Sequence, residues 1–354
     1  MNSTALKVFA SLVITSLAVL LPVHAQAKDK FSVCWSIYVG WMPWDFGSQQ
    51  GIVKKWADKY DIEIDVVQIN DYVESINQYS AGAYDGCTMT NMDALTIPAA
   101  GGIDSTALIV GDFSNGNDGI VLKEKNALND IKGQTVNLVE LSVSHYLLAR
   151  GLESVGLSEK DLKVVNTSDA DLVSAFYTDD VTAVATWNPL LSEIMTMPKT
   201  TKVFDSSQIP GEIIDLMVVN TDTLKTNPKF GKALVGAWYE IMAKMNAQTD
   251  AGKAARTFMG KASGTDLAGY EAQLASTKMF YTPQEAVAFT KSAELKKTMG
   301  YVAKFSFDHG LLGDGAADAG FIGIETPAGT FGSAANTKLR FDPSYMEMAA
   351  DGKL

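Results

Sequence analysis

Cysteine, histidine and arginine are scarce in this chain of 354 residues, and each scarcity excludes a class of site. The chain has two cysteines and three histidines, and no paired Cys or His spacing of the kind that holds a structural metal. We therefore predict no metal site and no cofactor. The three arginines, Arg150, Arg256 and Arg340, all lie away from predicted strand ends. Because Arg is the usual bidentate partner of carboxylate, sulfonate and phosphate, an anionic ligand is disfavoured.

The two cysteines, Cys34 and Cys87, leave two alternatives. In an oxidising compartment they could pair, which would close a loop of about 50 residues and stabilise the fold by about 4 kcal/mol on a chain-entropy estimate. Alternatively, they are two buried free thiols at strand positions. We favour the free thiols.

The N-terminal stretch has the features of an export signal. A basic residue at Lys7 precedes an apolar run at 8–23, and Ala25-Gln26-Ala27 supplies the small residues of a cleavage site. This pattern predicts a signal peptide over 1–27, and hence a protein of the periplasm. A membrane anchor is the alternative, but the apolar run is short for a span and no stop-transfer pattern follows it.

Basic residues are also outnumbered. The formal net charge is −12, which disfavours nucleic acid and anionic membrane surfaces as partners, although an acidic surface can also serve solubility alone. No G-x-S-x-G, H-E-x-x-H, P-loop or G-x-G-x-x-G motif is present, so we do not expect an enzyme. Asp112, His145 and Ser142 supply the residue types of an Asp–His–Ser catalytic triad, but no sequence motif supports such a triad.

What the chain does contain is a repeated alternation of apolar strand patterns with amphipathic helix patterns, which predicts an α/β fold. Predicted strands cover 31–39, 63–69, 85–89, 106–110, 135–139, 162–165, 181–186 and 213–219. Turn-forming residues at 114–119 mark a crossover. The pattern predicts two doubly wound lobes, 28–117 with 215–354 and 118–214, with a hinged cleft between them. The segment 310–354 is expected to wrap the surface of the first lobe.

A cluster of large aromatics stands at the end of the first strand. Within 31–50 lie Trp35, Tyr38, Trp41, Trp44 and Asp45. In open α/β sheets, small ligands bind at the carboxyl ends of the strands. These residues are therefore the first candidates for a binding site.

Several motifs in order resemble one family. The opening strand–loop–helix, Tyr84-Asp85-Gly86, Leu141-Ser142-Val143-Ser144-His145 and Ala185-Thr186-Trp187-Asn188-Pro189 are similar to the periplasmic solute-binding proteins of ABC importers of the nitrate/sulfonate/taurine type. The block Thr88-Met89-Thr90-Asn91-Met92-Asp93 resembles a branch associated with urea and guanidine. The resemblance implies a type II periplasmic binding protein fold, no cofactor, and delivery of a solute to an inner-membrane ABC permease. A related fold serves pyrimidine-precursor synthases, which need a cysteine-rich motif that this chain lacks.

The acids and rings at the predicted strand ends favour a cationic solute, since aromatic faces and carboxylates both attract a cation. We predict guanidine, taken up as guanidinium for its nitrogen and bound by a monomer, with urea, or taurine, sulfonate or nitrate, as alternatives. Among the acids, Glu140 is the strongest candidate, whereas Asp71, Asp93 and Asp169 are expected to cap helices. The predicted ligand-binding residues are Trp35, Tyr38, Trp41, Trp44, Asp45, Asn91, Asp112, Glu140, Ser142, His145, Trp187, Asn188 and Asp215.

Overall fold

The computed structural model describes residues 29–354 and contains two β-sheets flanked by helices. The predicted signal peptide lies outside the described residues. In chain order the strands are β1 (Asp29–Trp35), β2 (Ile62–Gln68), β3 (Gly86–Thr90), β4 (Ser105–Ser114), β5 (Asp118–Lys123), β6 (Thr135–Leu138), β7 (Lys163–Asn166), β8 (Ala183–Trp187), β9 (Thr200–Asp205), β10 (Ile214–Asn220), β11 (Thr277–Met279), β12 (Gly323–Glu325) and β13 (Thr337–Phe341).

The helices occupy the segments between these strands and most of the chain after β10. They are α1 (Met42–Gln49), α2 (Ile52–Lys59), α3 (Tyr72–Ser80), α4 (Asn91–Ala94), α5 (Val143–Ser154), α6 (Asp169–Tyr177), α7 (Leu190–Ile194), α8 (Thr221–Thr226), α9 (Pro228–Asn246), α10 (Asp250–Ala262), α11 (Leu267–Ala275), α12 (Pro283–Thr290), α13 (Ala293–Asp308) and α14 (Ser344–Ala350). A π-helical segment, Leu95–Ala99, continues α4. None of the helices within 29–354 has the length and apolar character needed to cross a membrane.

The first sheet has the order β12-β13-β4-β10-β3-β1-β2, with β11 paired to β4. β1 lies parallel to β2 and β3, as the strand–helix alternation predicts. β10, the strand that returns from the second sheet, inserts antiparallel between β3 and β4. The predicted α/β fold class is confirmed, and the first sheet is mixed because this return strand runs against its neighbours.

The second sheet has the order β7-β6-β8-β5-β9, and all its strands come from residues 118–205. The chain passes between the sheets twice, after β4 and before β10. The two passages are tied together by Ser206, whose hydroxyl lies 2.6 Å from the Ser114 hydroxyl and accepts the backbone N–H of Gly116 at 2.8 Å. This contact fixes the crossings where a cleft between the sheets would hinge.

Two segments hold more regular structure than the sequence analysis assigned. The stretch 42–49 forms α1, because Pro43 in the first turn has the fixed φ and the missing N–H that a helix start tolerates. The tail 310–354 does more than wrap a surface, since its strands β12 and β13 extend the first sheet and β13 pairs parallel to β4.

The cysteine prediction is also corrected. Cys34 and Cys87 form a disulfide across the neighbouring parallel strands β1 and β3, where they are direct register partners with Cα atoms 4.4 Å apart. The sequence shows the 53-residue separation but not which strands are neighbours, so it could not decide between pairing and free thiols.

Replacing both cysteines, in a Cys34→Ser/Cys87→Ser variant, should lower the free energy of unfolding by about 4 kcal/mol, because the unfolded chain regains the freedom of a long loop. Calorimetry of thermal unfolding is the appropriate measurement, since urea and guanidinium are themselves candidate ligands. An unchanged unfolding midpoint would show that the pair does not constrain the unfolded chain.

Candidate functional site

A small cavity lies between the two sheets, and we call it the central cavity. Its volume is about 20 Å³, somewhat above the 10–15 Å³ or so that a single water molecule needs. The residues that line it are Tyr38, Trp41, Tyr72, Thr90, Asp118, Val143, Trp187, Ile213 and Asp215.

Strand register explains how the polar residues meet. On β10, Asp215 pairs with Thr90 of β3 on one side and with Asp112 of β4 on the other. On the second sheet, Asp118 of β5 pairs with Trp187 of β8. Each sheet therefore presents carboxylate to the space between them, and the second adds an indole ring.

Aromatic rings form a continuous wall of the cavity. The ring centroids of Tyr38 and Trp41 are 4.9 Å apart, those of Trp41 and Tyr72 are 5.7 Å apart, and those of Tyr72 and Trp187 are 5.8 Å apart. Tyr38, Trp41 and Tyr72 follow strands β1 and β2 of the first sheet, whereas Trp187 lies on β8 of the second sheet. Such a wall offers π faces to a cation from both sides of the cleft.

Four carboxyl groups lie in or directly behind this wall, and we call them the four buried acids: Asp93, Asp112, Asp118 and Asp215. None is more than 3% exposed, and none forms an ion pair with Lys, Arg or His in the part of the chain that the structure describes. Buried acids are normally paired, because an isolated carboxylate is costly to remove from water.

Hydroxyl groups satisfy these acids only in part. Asp112 accepts from the Tyr38 hydroxyl at 3.0 Å, and Asp93 accepts from the Tyr72 hydroxyl at 2.6 Å. Asp118 accepts from the Ser114 hydroxyl at 2.5 Å. One oxygen each of Asp93, Asp112 and Asp215 has no hydrogen-bond partner within residues 29–354. The site therefore has spare acceptors and no internal positive charge.

Burial shifts the titration of all four buried acids. Removal from water raises the pKa of Asp93 to about 6 and that of Asp118 to about 7. Burial also raises the pKa of Asp112, and it raises that of Asp215 well above the usual range, where repulsion from Asp112 adds to the effect. A cation in the cavity would favour the ionised forms.

The start of α5 faces this negative charge. Ser142, predicted to bind ligand, caps the helix by accepting the backbone N–H of Ser144, and Val143 lines the cavity. The backbone N–H of Val143 also interacts with the Asp93 carboxyl and lowers its pKa against the effect of burial. An internal carboxylate thus already faces the N–H groups that could otherwise attract an anionic ligand.

Gly40 permits the close approach of Tyr38 to Asp112. A Cβ atom at position 40 would lie 2.5 Å from Asp112 Oδ2 and 2.6 Å from Tyr38 Cε1. Only glycine leaves that space free, and the turn after β1 can then bring the tyrosine hydroxyl onto the acid.

Among the predicted site residues, Tyr38, Trp41, Trp187 and Asp215 line the central cavity, and Asp112 bonds to Tyr38 behind it. The structure places the other aromatics of the opening stretch elsewhere. Trp35 is buried in the hydrophobic core, and Trp44 stacks on Trp238 with centroids 5.2 Å apart.

The remaining predicted polar residues have other contacts. Glu140 is exposed, and half-buried Asp45 accepts from Gln49 on the surface of α1. Asn91 accepts the backbone N–H of Ile214, and Asn188 accepts that of Ser192, so both hold the backbone. His145 lies two residues beyond Val143 and contacts Glu159.

The cavity residues that the predicted set lacks are Tyr72, Thr90, Asp118, Val143 and Ile213. Asp118 follows Asn115-Gly116-Asn117 and has the composition of a turn, and Tyr72 follows Asp71, which caps α3 as predicted. The prediction that Asp93 caps a helix was wrong, because Thr90 is the N-cap of α4 and Asp93 accepts its hydroxyl. An acid placed at a strand start was the one available signal for Asp118.

All three arginines are paired with acids away from the cavity. Arg150 bonds Glu212, Arg256 bonds Glu271, and Arg340 bonds Asp104. Their predicted absence from the strand-end site therefore agrees with the side-chain contacts.

One group of possible metal ligands occurs within 29–354, the His–Glu–His cluster of His145, Glu159 and His309, whose ligand atoms lie within 4.8 Å of one another. The sequence did not reveal it because these residues are far apart along the chain. The backbone N–H of Leu141 donates to His145 Nδ1 at 3.1 Å, so the neutral ring carries its proton on Nε2, the atom that faces Glu159. A protonated nitrogen cannot ligate a metal ion.

Comparison with solved structures identifies the class of fold. The alkanesulfonate-binding protein SsuA from Xanthomonas axonopodis pv. citri bound to MOPS is similar with a TM-score of 0.67 and 16% identity, over 82% of this chain and 96% of that one. The periplasmic aliphatic sulphonate binding protein SsuA from Escherichia coli gives 0.66 and 17%, over 80% and 94%. The periplasmic nitrate-binding protein NrtA from Synechocystis PCC 6803 gives 0.57 and 11%, over 92% and 99%. The fold is therefore that of the periplasmic binding proteins, as predicted.

The family follows from sequence. Residues 51–250, more than half of the chain, match the family described as NMT1/THI5 like. The chain belongs to this family. A search of curated protein sequences gives no significant match.

The raised pKa of Asp118 makes stability depend on pH. Between the ordinary Asp value near 3.8 and its folded value of about 7, the folded state binds more protons than the unfolded state, so stability should fall as pH rises. In the ligand-free protein, this titration should lower the free energy of unfolding by at most about 4 kcal/mol between pH 4 and pH 8. Asp118→Asn should remove that pH-dependent decrease. Calorimetric unfolding of the two proteins across this range measures the difference. Parallel pH curves would contradict a buried, neutral Asp118.

Proposed function

We propose that this chain is the extracytoplasmic solute-binding component of an ABC importer, and that its solute is a small, flat cation, most simply guanidinium. The observation that carries the proposal is the set of four buried acids, which have no basic partner within residues 29–354, beside a wall of aromatic rings. The family, the fold and the predicted signal peptide support the transport role. The partner would be an inner-membrane permease, and we expect a periplasmic monomer with no nucleic-acid partner and no chemical conversion of the solute.

The cavity suits guanidinium in charge and in the aromatic and acidic groups that line it. A planar cation can stack on Trp41 or Trp187 while its N–H groups donate to Asp118 and Asp215. The small cavity volume disfavours a long substituent. The positive charge would also supply the counter-ion that the acids lack.

Closure of the cleft would assemble the site. Tyr38, Trp41 and Asp215 belong to the first-sheet unit, whereas Asp118 and Trp187 belong to the second sheet. Neither half alone surrounds a ligand, so binding energy is available to draw the halves together. In this proposal the closed form with its solute is what the permease recognises.

The similar structures are of sulfonate- and nitrate-binding proteins, and the site described here is not suited to such anions. Sulfonate or nitrate would meet Asp93 at the start of α5 and two further acids on the cavity lining. Neutral urea could use the same rings and acceptors but would leave the carboxylates uncompensated, so it serves as the closest comparison ligand.

Isothermal titration with guanidinium chloride at millimolar concentration, against urea, taurine and nitrate, tests the proposal. Asp118→Asn and Asp215→Asn should each weaken guanidinium binding by roughly 30-fold or more, because each removes one acid from a buried charge contact. Glu140→Gln is the matched control and should bind normally, since Glu140 is exposed. Tight binding of taurine or nitrate by a protein that ignores guanidinium would refute the cationic assignment.

Guanidinium affinity should also rise with pH, since the ligand requires ionised acids. With the pKa of Asp118 raised to about 7, the affinity should gain about tenfold per pH unit below that value, and ionisation of Asp215, whose pKa burial raises well above its usual range, should extend the gain above it. Titrations in buffers of different ionisation enthalpy should detect proton release at pH 6. A flat profile, which urea would give, is the result that excludes this linkage.

A further inference from the structure

The His–Glu–His cluster joins two units that the cleft separates. His145 is on α5 and Glu159 lies in the short turn Glu159–Asp161, both within the second-sheet part of the chain. His309 caps the end of α13, 150 residues further on, and its Nε2 lies 2.6 Å from Glu159 Oε2. Glu159 thus receives one ring from each side.

The hydrogen-bond partners fix where the protons are. His145 receives the Leu141 N–H on Nδ1, so its Nε2–H donates to Glu159. His309 Nδ1 lies 2.9 Å from the carbonyl oxygen of Phe305, an acceptor, and its Nε2 faces a carboxylate oxygen. Both nitrogens of His309 must therefore donate, which requires the imidazolium form. The contact is an ion pair between α13 and the Glu159 turn.

The position of this ion pair connects it to the central cavity. Val143, which lines the cavity, is two residues before His145 in the first turn of α5. Phe305 of α13 also packs edge-on against Tyr146, with centroids 5.3 Å apart. Holding α13 on the start of α5 therefore holds one wall of the cavity.

We propose that the His–Glu–His cluster is a pH-sensitive latch that fastens α13 to the start of α5 while His309 is protonated. When His309 loses its proton, one of its nitrogens must present a lone pair to an oxygen atom, and the ion pair is lost. The latch is therefore closed at low pH and weakens as pH rises through the titration of His309, a direction that agrees with the raised pKa of this ring beside Glu159.

The other charges around His309 do not replace Glu159. On α13 itself, Asp308 is paired with Lys304. On α5, Arg150 is paired with Glu212 and Glu153, and His145 donates to the same carboxylate from the far side. The hydrogen bonds from His145 and His309 lower the pKa of Glu159 to about 2, so Glu159 remains ionised at any pH at which the protein would work.

The test uses the ligand-free protein, so that its outcome is independent of which solute binds. His309→Gln should lower the thermal unfolding midpoint at pH 6 and have little effect at pH 9. It should also speed amide hydrogen exchange in residues 141–150 at pH 6. Lys297→Gln, which removes an exposed charge from the same helix, is the matched control and should change neither measurement.

A second measurement keeps the idea testable if the variant folds poorly. The NMR titration midpoint of His309 in the unsubstituted protein should lie above 6.5 and return toward 6.5 in Glu159→Gln. A destabilisation by His309→Gln that is equal at both pH values would overturn the latch. So would stabilisation by stoichiometric Zn²⁺ that His309→Gln abolishes, because the cluster would then be a metal site.

Discussion

The arrangement of the candidate site depends on one constraint: carboxyl groups are buried where no basic side chain from the described part of the chain, 29–354, reaches them. Asp112 and Asp215 are register partners on adjacent strands, and Asp118 approaches from the second sheet. Placing such acids together raises their pKa and reduces the stability of the empty protein at neutral pH. Proteins tolerate such a cost chiefly at functional sites, where a ligand can offset it. A positively charged ligand is the simplest compensation.

The fold creates this constraint through one strand. β10 returns from the second sheet and inserts antiparallel between β3 and β4, which sets Asp215 beside both Thr90 and Asp112. The same return forms one of the two passages between the sheets, and Ser206 ties it to the other passage through Ser114. Because Ser114 also donates to Asp118, the hinge and the acid from the second sheet share one hydrogen-bond network. A movement at these passages would therefore disturb the hydrogen bond that Asp118 accepts from Ser114.

The sequence predicted the helices and strands better than it predicted which of them are neighbours in space. Strand–helix alternation predicted the α/β class, and the aromatic stretch after the first strand does supply Tyr38 and Trp41 to the cavity. Pattern alone could not tell these rings from Trp35, which β1 turns into the core, or from Trp44, which α1 turns into the core, because an aromatic residue is favourable in either place. Asp118 was hidden in a turn-like composition, and Glu140 looked suitable only because it follows a strand. The errors over Asp118 and Glu140 both concern which strands are adjacent, and so does the error over the Cys34–Cys87 disulfide. Strand adjacency is decided by tertiary packing.

The central cavity and the proposed latch respond to pH in opposite directions. At low pH the imidazolium of His309 holds α13 on α5, but protonated acids in the cavity have little attraction for a cation. At higher pH the acids ionise and repel one another across the cleft, while the latch loses its charge. Under those conditions the proposed cation, by contacting acids from both sheets, would become the main electrostatic link between the two halves. Closure would then report that the cleft is occupied, which is what a permease needs to distinguish a loaded binding protein from an empty one.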